Sequence, residues 1–300
     1  MPTKIQWTDE TDNPIYIRNK DGSHGGHWCR KTSEGCGECY AERINQSGFF
    51  KFASHLPYTG GVPKNLIFDE SIVQRWARVR SPKKRFVCSM TDLFGSWVPR
   101  DWQLKVLGAA AAAPSQTIQL LTKHPDVMLR AVQEWSESHE IPSNVWFGIT
   151  VENQRRADER LESARNLANS GCFVWVSYEP ALSAVNFTPW FPYVKWIVMG
   201  GNFGNASCCL DWLYSVVQQR SEWQCQKVQT SPALFVKQLG TNPYCLNPES
   251  FSDLSFLRNC AEDQGRHWLA PTGDRHNSNF NRFPKCLQIQ EFPVELSARP

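Results

Sequence analysis

From residue 85 onward, short apolar runs alternate with longer stretches whose apolar positions recur every three or four residues. The runs at 85–90 (RFVCSM), 117–121 (TIQLL), 145–151 (VWFGITV), 172–177 (CFVWVS), 196–199 (WIVM) and 234–237 (LFVK) are rich in β-branched and aromatic residues. Apolar on both faces, they predict strands buried on both sides. Between them, 102–113, 126–138, 153–170 and 211–221 carry helical spacing. An extended piece at 4–8 reads as a first strand and 40–46 as a first helix. This alternation predicts an α/β fold, a partial or full (β/α) TIM-like barrel. Residues 1–240 are assigned to the barrel, with a cysteine-bearing loop at 29–39. Residues 241–300, with Pro, Asn and Ser throughout, are assigned to a loop-rich C-terminal extension packing on it. No GxGxxG follows the first strand and no GxxxxGK precedes a Ser or Thr. A dinucleotide fold or P-loop therefore has no support.

Barrels carry their functional groups at the C-terminal ends of strands. Here those ends are polar in turn. Ser89, Thr91 and Asp92 follow the second strand, Thr122 and Lys123 the third, Glu152 the fourth and Glu179 the fifth. Gly200, Gly201 and Asn202 follow the sixth, and Lys237 and Gln238 end the seventh. One polar residue at a strand end meets solvent by default. The repetition is what predicts a shared polar pocket on one rim, and the loop at 29–39 falls on the same rim.

Composition narrows the class. With 41% hydrophobic residues and 18 glycines the chain is globular rather than disordered. Lys and Arg number 32 against 29 Asp and Glu, a formal net charge of +3. Charge alone therefore predicts no tight nonspecific binding to nucleic acid. The longest apolar stretch, 106–113, is far short of the roughly 18 residues that span a bilayer, so no membrane partner is expected. Residues 1–7 lack the apolar core of a secretory signal, and a cytoplasmic location is the expectation.

The 11 cysteines change the picture more. In a reducing compartment they do not read as a disulfide framework, which leaves metal ligation or buried thiols. Only Cys29, Cys36 and Cys39 are clustered, as C-x6-C-x2-C. Cys88 and Cys172 lie in or beside strand-like runs and read as small buried hydrophobes. The adjacent Cys208 and Cys209 read as packing. Three thiolates on one loop have two serious readings. A structural zinc needs a fourth ligand, which His24 or His27 would supply. A 4Fe-4S cluster usually takes four cysteines, and with three, one iron keeps a position open for a ligand. Spacing alone leaves both open.

Several segments occur in the same order in a bacteriophage family: 7–14 (WTDETDNP), 29–43, 89–94 (SMTDLF), 121–123 (LTK), 144–153 (NVWFGITVEN), 177–180 (SYEP), 196–204 (WIVMGGNFG) and 235–240 (FVKQLG). The chain resembles the phage and prophage three-cysteine-motif proteins, which are similar to radical S-adenosylmethionine enzymes. The likeness covers roughly residues 5–240, with a weaker echo at 283–293. It implies a 4Fe-4S cluster on Cys29, Cys36 and Cys39, with S-adenosyl-L-methionine on the fourth iron. It also implies a 5′-deoxyadenosyl radical that abstracts hydrogen from a substrate, and an electron donor such as flavodoxin or ferredoxin. By position, Ser89 and Asp92 suit the cofactor's amino group and Glu152 its ribose hydroxyls. Gly200, Gly201 and Asn202 join them as cofactor-binding positions. Lys123 and Glu179, the candidate catalytic residues, touch cofactor or substrate in this reading. Their plainer readings are a surface pair with Asp126 and a strand-end cap before Pro180. The sequence departs from the pattern in three places. The superfamily's usual spacing is the shorter C-x3-C-x2-C, although the phage family itself has x6. Glu38 stands before the third cysteine where an aromatic residue is usual, with Tyr40 following it. Asn202 replaces the carboxylate of a GGESG segment. The stretch 15–28 also reads as an insertion that caps the cluster.

The densest basic stretch, 75–85, holds six positive charges in 11 residues. It leads into the second strand, toward the face opposite the rim, and reads as a solvated helix face and turn rather than a nucleic-acid surface. Of the 13 Trp and 17 Phe, Trp146, Trp175 and Trp196 lie in strand runs and read as core. Trp28, Phe94, Trp97, Trp190 and Phe203 are the candidates for stacking on bases. Phage context, through the resemblance, makes nucleic-acid modification or repair the leading expectation, with a peptide or small metabolite behind it. Two alternatives stand beside the enzyme reading. One is a non-catalytic nucleic-acid-binding protein with structural zinc on the same cysteines. The other, which the Asn202 departure favours, is a barrel that has lost catalysis and acts in interaction.

Overall fold

The strand that opens the sheet is polar, and hydrophobic patterning misplaces it. The computed structural model describes residues 3–47, 56–202, 207–226, 231–251, 262–263, 266–268 and 277–293. β1 is Glu10–Asp12, not the piece at 4–8, and pairs in parallel with β4 (Lys84–Val87) with Glu10 opposite Arg85. The reason is electrostatic. Arg85 is buried and reaches Glu10 at 2.6 Å and Asp12 at 3.1 Å. Asp12, also buried, receives Arg75 and the Trp76 indole N–H. Burial pushes the Asp12 carboxyl up. The Trp76 bond and the Arg75 and Arg85 charges outweigh it, and the group sits below the usual carboxylate range. The basic stretch thus buries Arg85 and lays Arg75, still exposed, onto Asp12, while Arg78 and Arg80 face solvent.

The chain forms two compact units, Met1–Ile149 with Asn166–Phe173 and Thr150–Arg165 with Val174–Pro300. In the first, β1, β4, β5 (Thr117–Thr122) and β6 (Val145–Thr150) pair in parallel. α1 (Tyr40–Gln46), α2 (Glu70–Gln74), α3 (Arg100–Ala111) and α4 (Pro125–Ser136) belong to the same unit. α4 buries Met128, Ala131 and Val132 at helical spacing, and Pro125 opens it where no N–H is needed. Asp69 caps α2 by accepting the Ser71 N–H at 3.1 Å. The 15–28 stretch folds on itself. Its β2 (Ile15–Ile17) pairs antiparallel with β3 (Leu66–Phe68), and the Ile17 N–H reaches the Gly26 carbonyl at 2.8 Å.

In the second unit β7 (Phe173–Tyr178), β8 (Trp196–Gly200) and β10 (Ala233–Gln238) pair in parallel, and α6 (Leu210–Cys225) lies between β8 and β10 in the chain. α5 (Gln154–Asn169) links β6 to β7 in sequence. Strand order in the large sheet is β1-β4-β5-β6-β7-β8-β10, consecutive and without reversal. This is the topology of a partial (β/α) barrel. The described part of 241–300 is loop-rich, as expected, and also carries short strands. β11 (Asn242–Cys245), β12 (Glu262–Asp263) and β13 (Arg266–Trp268) form a second sheet with β9 (Ser207–Cys209). Cys208 and Cys209 are buried in β9, as packing. Residues 289–291 run along β10: Val236 N–H donates to the Ile289 carbonyl at 2.8 Å, and Glu291 N–H to that of Leu234 at 2.9 Å. They occupy an edge that otherwise presents unpaired backbone groups. Among the described residues no helix is long and apolar enough to cross a membrane.

Candidate functional site

The three clustered cysteines lie in irregular backbone of the first unit. Cys36 ends a single 3-10 turn, Glu34–Cys36, and Cys39 is the residue before α1. All three thiols are half-buried. The Cys36 sulfur accepts the Thr32 N–H at 3.5 Å and lies 3.7 Å from the Ser33 hydroxyl. Backbone N–H groups of Glu42 and Ala41 point at Cys39, and that of Asp92 at Cys29. Burial pushes the Cys29 and Cys39 thiols above the ordinary range, and the charges of neighbouring cysteines, Cys39 and Cys36 on Cys29 and Cys36 on Cys39, push the same way. Cys36 runs the other way. Burial opposes its ionisation, but the Lys123 charge and the Thr32 and Ser33 bonds bring its thiol below the usual value.

The loop after β4 is sewn to this segment. Cys88, one residue past the strand, turns the chain at φ +61°, a left-handed conformation rare outside glycine. Its N–H reaches the Asp12 carbonyl at 2.8 Å. The Met90 N–H donates to Asn13 Oδ1 at 3.0 Å, and the Ser89 hydroxyl lies 3.2 Å from the same oxygen. Tyr40 donates to the Ser89 carbonyl at 2.6 Å, Tyr58 to that of Met90 at 2.8 Å, and the Thr91 hydroxyl to that of Trp28 at 2.8 Å. Asp92 accepts from Thr122 at 2.7 Å, from the Phe94 N–H at 3.0 Å and from the Lys123 N–H at 2.8 Å. Of the residues singled out in the sequence, Cys29, Cys36, Cys39, Ser89, Asp92 and Lys123 are therefore brought into one neighbourhood. Asn13 and Tyr58 were not singled out. Asn13 lies in the 7–14 segment, but no pattern marks Tyr58.

The histidines near the loop are already engaged. His27 Nδ1 is 2.9 Å from the Ile15 carbonyl, and Asn45 bonds both its N–H and its C=O at 2.8 Å. Burial brings its imidazole down to about 4. His24 stacks on Tyr16 at 4.2 Å. Among the described residues no three or more His, Cys, Asp and Glu side chains are gathered as one metal ion requires.

The second unit holds the remaining strand-end residues. Glu152 is fully buried, with Arg160 at 3.1 Å, and Arg160 also donates to the Thr150 carbonyl at 2.6 Å. Glu179 Oε1 lies 2.9 Å from the Lys237 ammonium, off the direction of a hydrogen bond, so the contact is an ion pair. A Cβ on Gly200 would stand 2.8 Å from that Oε1, and one on Gly201 2.4 Å from the Leu239 carbonyl oxygen. Gly201 is needed for this close approach of backbone, whereas Gly200 faces the movable end of a side chain. Asn202 is buried, and its carbonyl accepts the Thr241 N–H at 3.1 Å. The stacking expectation needs correction. Trp28, Phe94, Trp97 and Trp190 are buried in the packing and present no free face to a base, and Phe203 lies outside the described residues.

A partial-barrel α/β chain with three thiols beside a strand end is the class that fold and site define. The chain belongs to the family described as "Protein of unknown function (DUF5131)", whose model matches residues 2–272. No curated protein matches it. Among solved structures it is similar to a spore photoproduct lyase double mutant with bound AdoMet and dinucleoside spore photoproduct. That similarity has 10% identity and a TM-score of 0.39, over 77% of this chain and 56% of that one. A single mutant of spore photoproduct lyase is similar at 11% identity and a TM-score of 0.37, over 74% and 63%. The chain spans less than two thirds of the length of either.

Proposed function

We propose that this chain is a radical S-adenosylmethionine enzyme, with Cys29, Cys36 and Cys39 holding a 4Fe-4S cluster, acting in modification or repair of nucleobases. The carrying observation is three half-buried thiols on one loop, fixed against the strand-end loop at 89–92. The donor set fits such a group. Soft thiolates suit iron–sulfur ligation. N–H groups aimed at the sulfurs stabilise their charge, and three ligands leave one iron open. The resemblance to phage three-cysteine-motif proteins supports the same reading.

When bound, the cluster supplies an electron for reductive cleavage of S-adenosylmethionine, drawn from a donor such as flavodoxin or ferredoxin. The chain's own residues orient and shield. Tyr40, Tyr58 and Thr91 lock the 89–92 loop onto the cysteine segment. Asp92 fixes the turn after β5 and with it Lys123, whose charge favours thiolate at Cys36. Ser89 and Asp92 are the polar groups assigned to the cofactor in this unit.

Anaerobic reconstitution should load about four iron and four sulfide per chain. Reduction with S-adenosylmethionine present should then release 5′-deoxyadenosine, and Cys36→Ala should lose both. One tightly bound zinc and no iron overturns the proposal, as does iron loading without cofactor cleavage. The nucleobase assignment is checked by mass analysis of DNA, tRNA and protein from cells carrying wild type or Cys36→Ala. A mass change confined to protein overturns it.

A further inference from the structure

Arg30 directly follows the first cysteine of the loop. Its guanidinium lies over the Trp28 indole, 5.7 Å from the ring centroid, and over the Trp97 indole at 5.8 Å. The two indoles meet edge to face at 5.7 Å and are 1% and 9% exposed, so they form a fixed wall. Contacts to π faces use the guanidinium's charge but none of its five N–H donors. Among the described residues no carboxylate or carbonyl accepts from those donors.

The same corner holds a second donor without an acceptor. Trp97 Nε1 is sealed from solvent with no hydrogen-bond partner among the described residues, and the His124 ring meets Trp97 edge-on at 5.8 Å. An indole N–H only donates, and a buried one without an acceptor points to something not yet in place. Asp92, the carboxylate of this rim, accepts from Thr122, Phe94 and Lys123, and no bond joins it to the Arg30 guanidinium or the Trp97 indole.

We infer that Arg30 is the anion anchor of a ligand site on the cysteine loop, receiving an oxyanionic group, phosphate or carboxylate, of the molecule bound there. A planar guanidinium takes either group through paired N–H bonds, and the indole wall fixes its direction beforehand. The inference deepens the proposed function by naming the chemistry that the site recognises, and it rests on that reading for the presence of a ligand beside the thiols.

Calorimetry on the full, anaerobically reconstituted chain tests it with two matched pairs of probes. Adenosine monophosphate against adenosine reads phosphate, and S-adenosylmethionine against its decarboxylated analogue reads carboxylate. Arg30→Gln should weaken the oxyanionic member of one pair by about tenfold to a hundredfold and leave its partner unchanged. Arg30→Lys should recover part of the loss. The pair affected identifies the source. Where Arg30→Gln does not fold, Arg30→Lys and the salt dependence of the wild type carry the test: an anchored phosphate makes adenosine monophosphate, and not neutral adenosine, bind more weakly as salt rises, and an anchored carboxylate makes Arg30→Lys weaken S-adenosylmethionine relative to its decarboxylated analogue. Equal losses within both pairs, no loss in either, or no binding of any probe by the wild type overturns the inference. Iron content separates the two readings. Full iron loading without Arg30-dependent discrimination sinks this inference alone, and discrimination in a chain that takes up no iron sinks the cluster reading alone.

Discussion

The cysteine loop of the first unit and the strand-end cluster of the second handle charge in opposite ways. In the second unit every charge singled out is already paired: Glu152 with Arg160, and Glu179 with Lys237. In the first, an indole N–H and a guanidinium stand near the thiols with no protein acceptor of their own among the described residues. A buried pair is complete as folded, and taking one member leaves an uncompensated charge. A surplus of donors is incomplete as folded and is met by a ligand. The contrast separates residues whose loss is felt in folding from residues whose loss is felt in binding.

The sharpest way to break that contrast is Arg160→Met, which strands the fully buried Glu152. We expect a loss of about 3–5 kcal/mol in urea unfolding, largely restored by adding Glu152→Leu. A loss under about 1 kcal/mol would show that the pair does not hold the second unit together.

Asp12→Asn comes next, as the structural ion-pair network of the first unit, and should cost about 3 kcal/mol at neutral pH. Its pH signature is specific. The folded carboxyl lies below its unfolded value, so its contribution is complete above the unfolded pKa and disappears as pH falls through the depressed folded one. Wild-type stability should therefore decline below about pH 4. Asp12→Asn should lack that component, and parallel acid profiles of the two proteins would remove Asp12 from the network.

Gly201→Ala should destabilise by about 1–3 kcal/mol, because the new methyl meets backbone rather than a movable side chain. A melting temperature equal to wild type would show that the strand ends have room. The smallest effect is expected at the loop. Cys36→Ser should change the stability of the metal-free chain by less than about 1 kcal/mol. Should it unfold the metal-free chain, the loop would belong with the paired charges and not with the ligand sites.

Legibility followed the same division. The runs at 117–121, 145–151 and 234–237 lie within one or two residues of strands Thr117–Thr122, Val145–Thr150 and Ala233–Gln238, because strands covered on both faces must be apolar on both. The first helix, Tyr40–Gln46, was also readable. β1 was not. Glu10 and Asp12 enter a sheet edge only because Arg85, and for Asp12 also Arg75 and Trp76, come to meet them from more than 60 residues away. Of the candidate site, cysteine spacing and polar strand ends were visible one at a time. Their bonds were not: Tyr58 at the Met90 carbonyl and Asn13 at Ser89 join segments with no common period.

By itself the sequence determined the alternation of strand and helix, hence the partial-barrel topology, and the presence of three thiols close together in the chain. Both are local properties, recorded in periodicity and spacing. Only the tertiary structure decided which charges are spent within the fold and which donors are left for a ligand. Trp97, a stacking candidate in the sequence, became part of the wall that orients Arg30. Lys123 became the charge that lowers the Cys36 thiol. Such roles depend on which groups share a low-dielectric corner, and chain order does not record that.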